Sequence, residues 1–232
     1  MQIKKAYQYT LYLLLTLMLV GQMSYAQNPS LGSWNIINLK YKTSEKYTFF
    51  GEAQLRSLRF YAHFHYYEFK GGITYKPYKN ATFTLAAGSY QTYKEGGNFE
   101  RPKNNDEFRI WPQIILLQSV GKFDIEQRYR AELRFTSNGY RNRFRYRLEL
   151  SKSIGSNKNG VRPFKISASN ELFFTNNEPY FERNRLLFSF AYKPNKNNTL
   201  HIGYVHQFDY KINDETGTDF LQIGYAVDLF KK

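Results

Sequence analysis

From Phe123 to Leu150 the chain alternates between two kinds of residue with a period of two. One phase carries Phe123, Ile125, Tyr129, Ala131, Leu133 and Phe135, then Tyr140, Phe144, Tyr146, Leu148 and Leu150. The other carries Asp124, Glu126, Arg128, Arg130, Glu132 and Arg134, then Arg141, Arg143, Arg145, Arg147 and Glu149. Successive side chains of a strand point to opposite faces of its sheet, so this stretch predicts two strands with one apolar and one charged face. The same alternation runs through Tyr67, Phe69, Gly71, Ile73 and Tyr75 against Glu68, Lys70, Gly72, Thr74 and Lys76. It returns in Leu221, Ile223, Tyr225, Val227 and Leu229 against Gln222, Gly224, Ala226 and Asp228.

Turn-type residues separate about eleven such segments. They are Trp34–Tyr41, Tyr47–Arg56, His65–Lys76, Ala81–Tyr93, Glu107–Gln118 and Phe123–Phe135, followed by Tyr140–Ser153, Pro163–Phe174, Glu182–Lys193, Thr199–Tyr210 and Thr218–Phe230. The alternation is weakest over Ala81–Tyr93, and no helical period is sustained after residue 26.

A two-faced sheet fits two settings. A soluble sandwich or lipocalin-like barrel buries the apolar face and wets the charged one, whereas a barrel in a bilayer does the reverse. The density of Arg on the charged phase favours the bilayer. So do Tyr41, Tyr47, Tyr75, Tyr93, Tyr140, Tyr192 and Tyr210 near strand ends, because an apolar ring with a polar tip prefers the membrane–water boundary. The expected fold is therefore all-β: a single antiparallel transmembrane up-and-down β-barrel with a polar, Arg/Glu-rich lumen. About twelve strands are expected, with ten the next choice, because single-chain bacterial barrels have even strand numbers. The additional strand would lie near Asn28–Ser33. With the last strand ending in the periplasm, the inner turns are Lys42–Lys46, Pro77–Asn80, Val120–Lys122, Ile154–Arg162 and Pro194–Asn198, and the longest loop, Lys94–Asp106, falls outside.

The start of the chain supplies the compartment. Lys4 and Lys5 precede the apolar run Leu11–Val20, and Ser24-Tyr25-Ala26 offers a small-x-small cleavage site, so residues 1–26 read as a cleaved signal peptide. Residues 27–232 then form one barrel domain in the bacterial outer membrane. Without Lys4 and Lys5 the 33 Lys and Arg fall to 31 against 19 Asp and Glu, a net charge of +12. Export and the spread of these charges argue against nucleic acid. The expected partners are outer-membrane lipid, lipopolysaccharide and the barrel-assembly machinery. The mean hydropathy of −0.62 is compatible with a barrel, which needs apolar residues only at alternate positions. With no Cys, there is no disulfide, lipid anchor on sulfur or thiolate chemistry.

The charged phase supplies the lumen-lining candidates: Arg109, Glu126, Arg128, Arg130, Glu132, Arg134, Arg141, Arg143, Arg145, Arg147, Glu149, Glu171, Arg183 and Arg185, with Glu52, Glu68 and Glu107 in the same inward set. Guanidinium forks bind carboxylates bidentately, and Arg and Glu are expected to pair across the ladder of the two Arg-rich strands. Such a network fills and rigidifies a structural or plugged barrel. Left wet, its Arg excess would favour anions or acidic solutes in a narrow pore. An outer-leaflet lipid hydrolase is a further alternative, with His206, Asn184 and Asp219 as weak catalytic candidates on the outer phase of three successive strands. No Ser shares that phase at matching height, since Ser189 points inward, and a catalytic role is not the expectation. His63 and His65 lack a third ligand, and neither a metal site nor a cofactor is expected. The loop Asn98–Asp106 is the best candidate for binding a surface partner.

Several short motifs resemble a family: Gly32-Ser33-Trp34, Trp111-Pro112-Gln113, Glu126-Gln127-Arg128-Tyr129-Arg130, Arg143-Phe144-Arg145-Tyr146-Arg147-Leu148, Asn170-Glu171-Leu172-Phe173 and Asn184-Arg185. In this order and spacing they are similar to the domain-of-unknown-function family numbered 2490. The resemblance implies a Gram-negative outer-membrane barrel and brings no activity with it. The chain departs from the usual barrel terminus, since Phe230 is followed by Lys231 and Lys232 and lies out of phase with Leu221–Leu229.

Overall fold

The computed structural model describes residues 31–156, 162–210, 212 and 215–231. The expected signal peptide lies outside them. Eleven strands follow in order: β1 Gly32–Lys42, β2 Tyr47–Arg59, β3 Ala62–Tyr78, β4 Ala81–Tyr93, β5 Lys103–Val120, β6 Phe123–Thr136, β7 Gly139–Ile154, β8 Phe164–Thr175, β9 Phe181–Tyr192, β10 Asn198–Asp209 and β11 Thr216–Phe230. Each pairs antiparallel with the next, and β11 closes the barrel on β1.

That closing pair is parallel, with Gly32 opposite Phe220 and Lys42 opposite Phe230. The closed all-β barrel is the one expected, and among the described residues it has eleven strands, close to the twelve expected. Antiparallel closure needs an even number, but a parallel ladder also satisfies both edges and lets an odd number close. Gly32 and Ser33, expected to belong to an additional strand, are instead the first residues of β1. Residues 28–30 lie outside the described residues.

Parallel closure puts the start of β1 and the end of β11 at opposite rims, here called the N-terminal and C-terminal rims. The long connection 94–102 lies at the N-terminal rim, while β7 ends and β8 begins at the C-terminal rim. Loop 94–102 folds onto the wall. Phe99 packs against Phe64, Tyr67 and Tyr93, and Asn98 Oδ1 accepts the Phe64 amide at 2.9 Å.

The charged phase turns inward. Glu132 is 0% exposed, whereas Phe144 and Phe188 on the outer wall are 53% and 55% exposed. Relative to a soluble barrel the molecule is inside-out. Apolar packing inside is confined to two small clusters, Trp34 with Val205 and Phe220, and Ala86 with Tyr90 and Trp111. Outside, aromatic rings meet across strand ends, as in Tyr47 on Tyr75 at 5.0 Å between centroids and Phe135 on Tyr140 at 5.3 Å.

Small residues gather across β2–β4, where Gly51, Gly71, Gly72, Ala86, Ala87 and Gly88 lie side by side and backbones approach closely. A Cβ on Gly72 would sit 2.4 Å from both Ala86 Cβ and the Leu85 carbonyl oxygen, whereas one on Gly51 would meet nothing within 4 Å. Gly72→Ala is therefore expected to destabilise the barrel by about 1–3 kcal/mol, and Gly51→Ala to leave stability equal or slightly higher. Denaturant unfolding of the two variants in detergent micelles checks this, and equal stabilities would contradict it.

Candidate functional site

The hairpin β6–β7 sets the pattern of the interior. Ser137 and Asn138 turn the chain so that Thr136 faces Gly139, and the ladder then places Arg134 opposite Arg141, Arg130 opposite Arg145 and Arg128 opposite Arg147. Glu126 faces Glu149, and Glu132 faces Arg143. Arg and Glu pair across this ladder, as expected from the sequence, although directly opposite one another at one position only. Like charges directly opposite are unfavourable, and the interior relieves them on the diagonal and across the lumen. Arg147 reaches back to Glu126, and Arg145 Nη1 reaches Glu132 at 2.7 Å. Arg128 spans to Glu171 on β8 at 2.6 Å.

Glutamates are the hubs of this network. Glu132 holds Arg145 at 2.7 Å, Arg130 at 3.5 Å, Arg143 at 3.7 Å and Arg109 at 3.8 Å. Glu171 holds Arg128, Arg145 and Arg185. Glu107 accepts from Arg109 at 2.8 Å and from both Nε and Nη2 of Arg134, while Glu182 takes Arg143 in a fork. Nearer the C-terminal rim, Arg147 approaches Glu149 at 3.6 Å and Lys165 bonds Glu149 at 3.0 Å. Glu68 joins Arg56 and Lys70, Lys70 also meets Glu52 at 2.6 Å, and Arg183 pairs with Asp209. Arg141 is exposed at the N-terminal rim.

Aromatic rings hold the guanidinium planes. Arg145 and Arg185 lie over Phe173 at 4.5 and 4.9 Å, Arg109 over Tyr90 at 3.7 Å, and Arg56 over Trp34 at 3.6 Å. Sequence reasoning missed these inward aromatics. Their signal was phase: Phe173 shares the parity of Glu171, and Trp111 that of Arg109.

The two halves of the lumen differ. On the C-terminal side lies a cavity of about 1020 Å³ that ends at Trp34, Gln54, Trp111, Gln113, Arg130 and Arg185. Glu107, Glu132 and Arg143 lie beyond that floor and do not line it. Lys40, Lys42, Lys46, Lys70, Lys76 and Lys79 line the cavity with Arg128, Arg130, Arg145, Arg147 and Arg185, against Glu45, Glu52 and Glu171. The interior thus holds a buried ion-pair network beneath a strongly cationic vestibule.

On the outer wall, Asp219 Oδ1 lies 2.7 Å from His206 Nδ1 and accepts the Tyr204 hydroxyl at 2.7 Å. Asn184 is not joined to that pair. It exchanges hydrogen bonds with Asn170, at 3.1 and 3.2 Å. Ser189 Oγ is 2.8 Å from Ser167 Oγ, away from the imidazole. Among the described residues no group of three or more metal-ligating side chains occurs.

A closed β-barrel with an ion-paired interior and an apolar outer wall is the class of protein that this fold and site define. Within that class the chain belongs to the family described as a protein of unknown function, DUF2490, whose model matches residues 31–218. No curated protein and no solved structure matches it.

Truncating the central hub should be costly, because it leaves several buried guanidinium groups without their shared carboxylate. Glu132→Ala is expected to lose about 3–5 kcal/mol, measured by denaturant unfolding in micelles. A loss below about 1 kcal/mol would mean that water already screens this site.

Proposed function

We propose that this chain is a β-barrel of the bacterial outer membrane whose lumen is closed by its own ion pairs, so that it crosses the membrane without conducting. One observation carries the closure. The Glu132 carboxylate is 0% exposed in mid-lumen, and the side chains of its four Arg partners are only 5–11% exposed. A conducting lumen lined by charge keeps that charge wet.

The membrane assignment draws support from the exposed apolar wall, the aromatic rings at strand ends and the signal-like start of the chain. The wall contacts lipid and, in the outer leaflet, lipopolysaccharide, and the barrel-assembly machinery inserts the chain. With β11 ending in the periplasm, the vestibule opens there and the plug lies toward the outside. His206, Asp219 and Tyr204 then form a polar contact at the depth of the outer headgroups, and this role is not catalytic.

The test is current through planar bilayers carrying the refolded chain, residues 27–232. No steady steps are expected from protein that migrates as a folded, heat-modifiable band. Steady anion-selective steps from the same preparation would overturn the closed lumen and restore the pore.

A further inference from the structure

We propose that the cationic vestibule is a binding site for a multivalent anion, a small solute bearing several carboxylate or phosphate groups. At about 1020 Å³ the cavity is at the upper end of the ~300–1,000 Å³ typical of small-molecule sites. It is blind, ending on Trp34, Trp111 and the guanidinium groups set against them. The inference rests on the closed lumen proposed above, because a blind cup retains a solute that a passage would release.

The floor has binding capacity that the protein does not use. Arg128 faces Arg147, and Arg130 faces Arg145, across the β6–β7 ladder. Each guanidinium offers five N–H donors. Among the described residues, Arg128 makes one hydrogen bond, to Glu171, and Arg147 makes one, to Glu126. Glu171 is shared among Arg128, Arg145 and Arg185, so positive charge remains in excess around it. An anion seated between the facing Arg pairs would accept the spare donors and relieve the repulsion between like charges.

The forks are also held in place before any ligand arrives. Arg185 lies over both Trp34, at 4.8 Å, and Phe173, and Arg130 lies over Trp111 at 5.2 Å while donating to Gln113 through Nε and Nη2. A stacked, hydrogen-bonded guanidinium loses little freedom on binding, which favours affinity. At the mouth, Lys40, Lys46, Lys76 and Lys79 line the entrance against Glu45, a field that draws anions inward.

The chain contains two tryptophans, and both lie at the vestibule floor, so their fluorescence reports on it directly. The mature chain, folded in zwitterionic micelles, is titrated with tripolyphosphate and separately with citrate, with maltose as the neutral control. Saturable one-site binding of at least one anion is expected, weakened by added salt and absent for maltose. Tighter tripolyphosphate binding assigns a phosphate-bearing ligand, and tighter citrate binding a polycarboxylate. Arg147→Gln, and the mouth variant Lys40→Gln with Lys76→Gln, should each weaken binding about tenfold or more. If Arg147→Gln fails to refold, the mouth variant, which changes exposed side chains, carries the test.

No saturable response to either anion, or affinities unchanged in the variants, would overturn the site. Bilayer current from the same preparation separates the two readings. A folded chain that conducts yet binds anions refutes the closure alone, and one that is closed yet binds neither refutes the site alone.

Discussion

Everything in this barrel depends on sharing few carboxylates among many guanidinium groups that are buried together. Glu132 serves four Arg side chains and Glu171 three. Removing charge from water is expensive, and attraction offsets that cost only when geometry and remaining donors are satisfied. The network therefore constrains the whole wall. The β6–β7 register decides which Arg faces which, β8 must bring Glu171 to Arg128, the β1–β2 ladder sets Trp34 beneath Arg56, and the parallel closure must bring it to Arg185.

That constraint explains why aromatic residues enter a polar interior. Phe173 is 1% exposed among Arg143, Arg145, Arg183 and Arg185, each within 5.7 Å of its ring. A ring face attracts a guanidinium without consuming any of its N–H donors, so it spreads positive charge where a further carboxylate would neutralise it. The result is an interior that is crosslinked and still electropositive. Toward the N-terminal rim this charge is buried. Toward the C-terminal rim the same charge meets open space.

Much of this was legible in the sequence. The alternation in Phe123–Leu150 placed β6 and β7 to within a residue, and the turn residues marked every other strand. Ala81–Tyr93 coincides with β4 even though its alternation was weak. Its blurred pattern reflects Ala86, Ala87 and Gly88, small residues where β3 approaches too closely for larger ones. Three features were not legible in the same way. Period-two patterning says that faces differ but not which one turns inward. Strand parity assumed antiparallel closure, which the parallel β1–β11 pair makes unnecessary. The Arg-opposite-Arg register follows from a two-residue turn at Ser137-Asn138, so the Arg–Glu pairs expected across this ladder form mostly on its diagonals. On the outer wall, phase brought His206 and Asp219 together correctly but could not place Asn184, which prefers its amide partner Asn170.

The proposed barrel is inside-out, with lipid on the apolar wall and the charged interior shielded from it. Fluorescence of the refolded chain in vesicles with brominated acyl chains tests this most directly, because bromine quenches tryptophan only on contact with lipid. Trp34 and Trp111, 4% and 1% exposed within the lumen, should stay bright, while a tryptophan introduced by Phe188→Trp on the outer wall should be quenched. Quenching of the native pair, or an unquenched residue at position 188, would contradict the account.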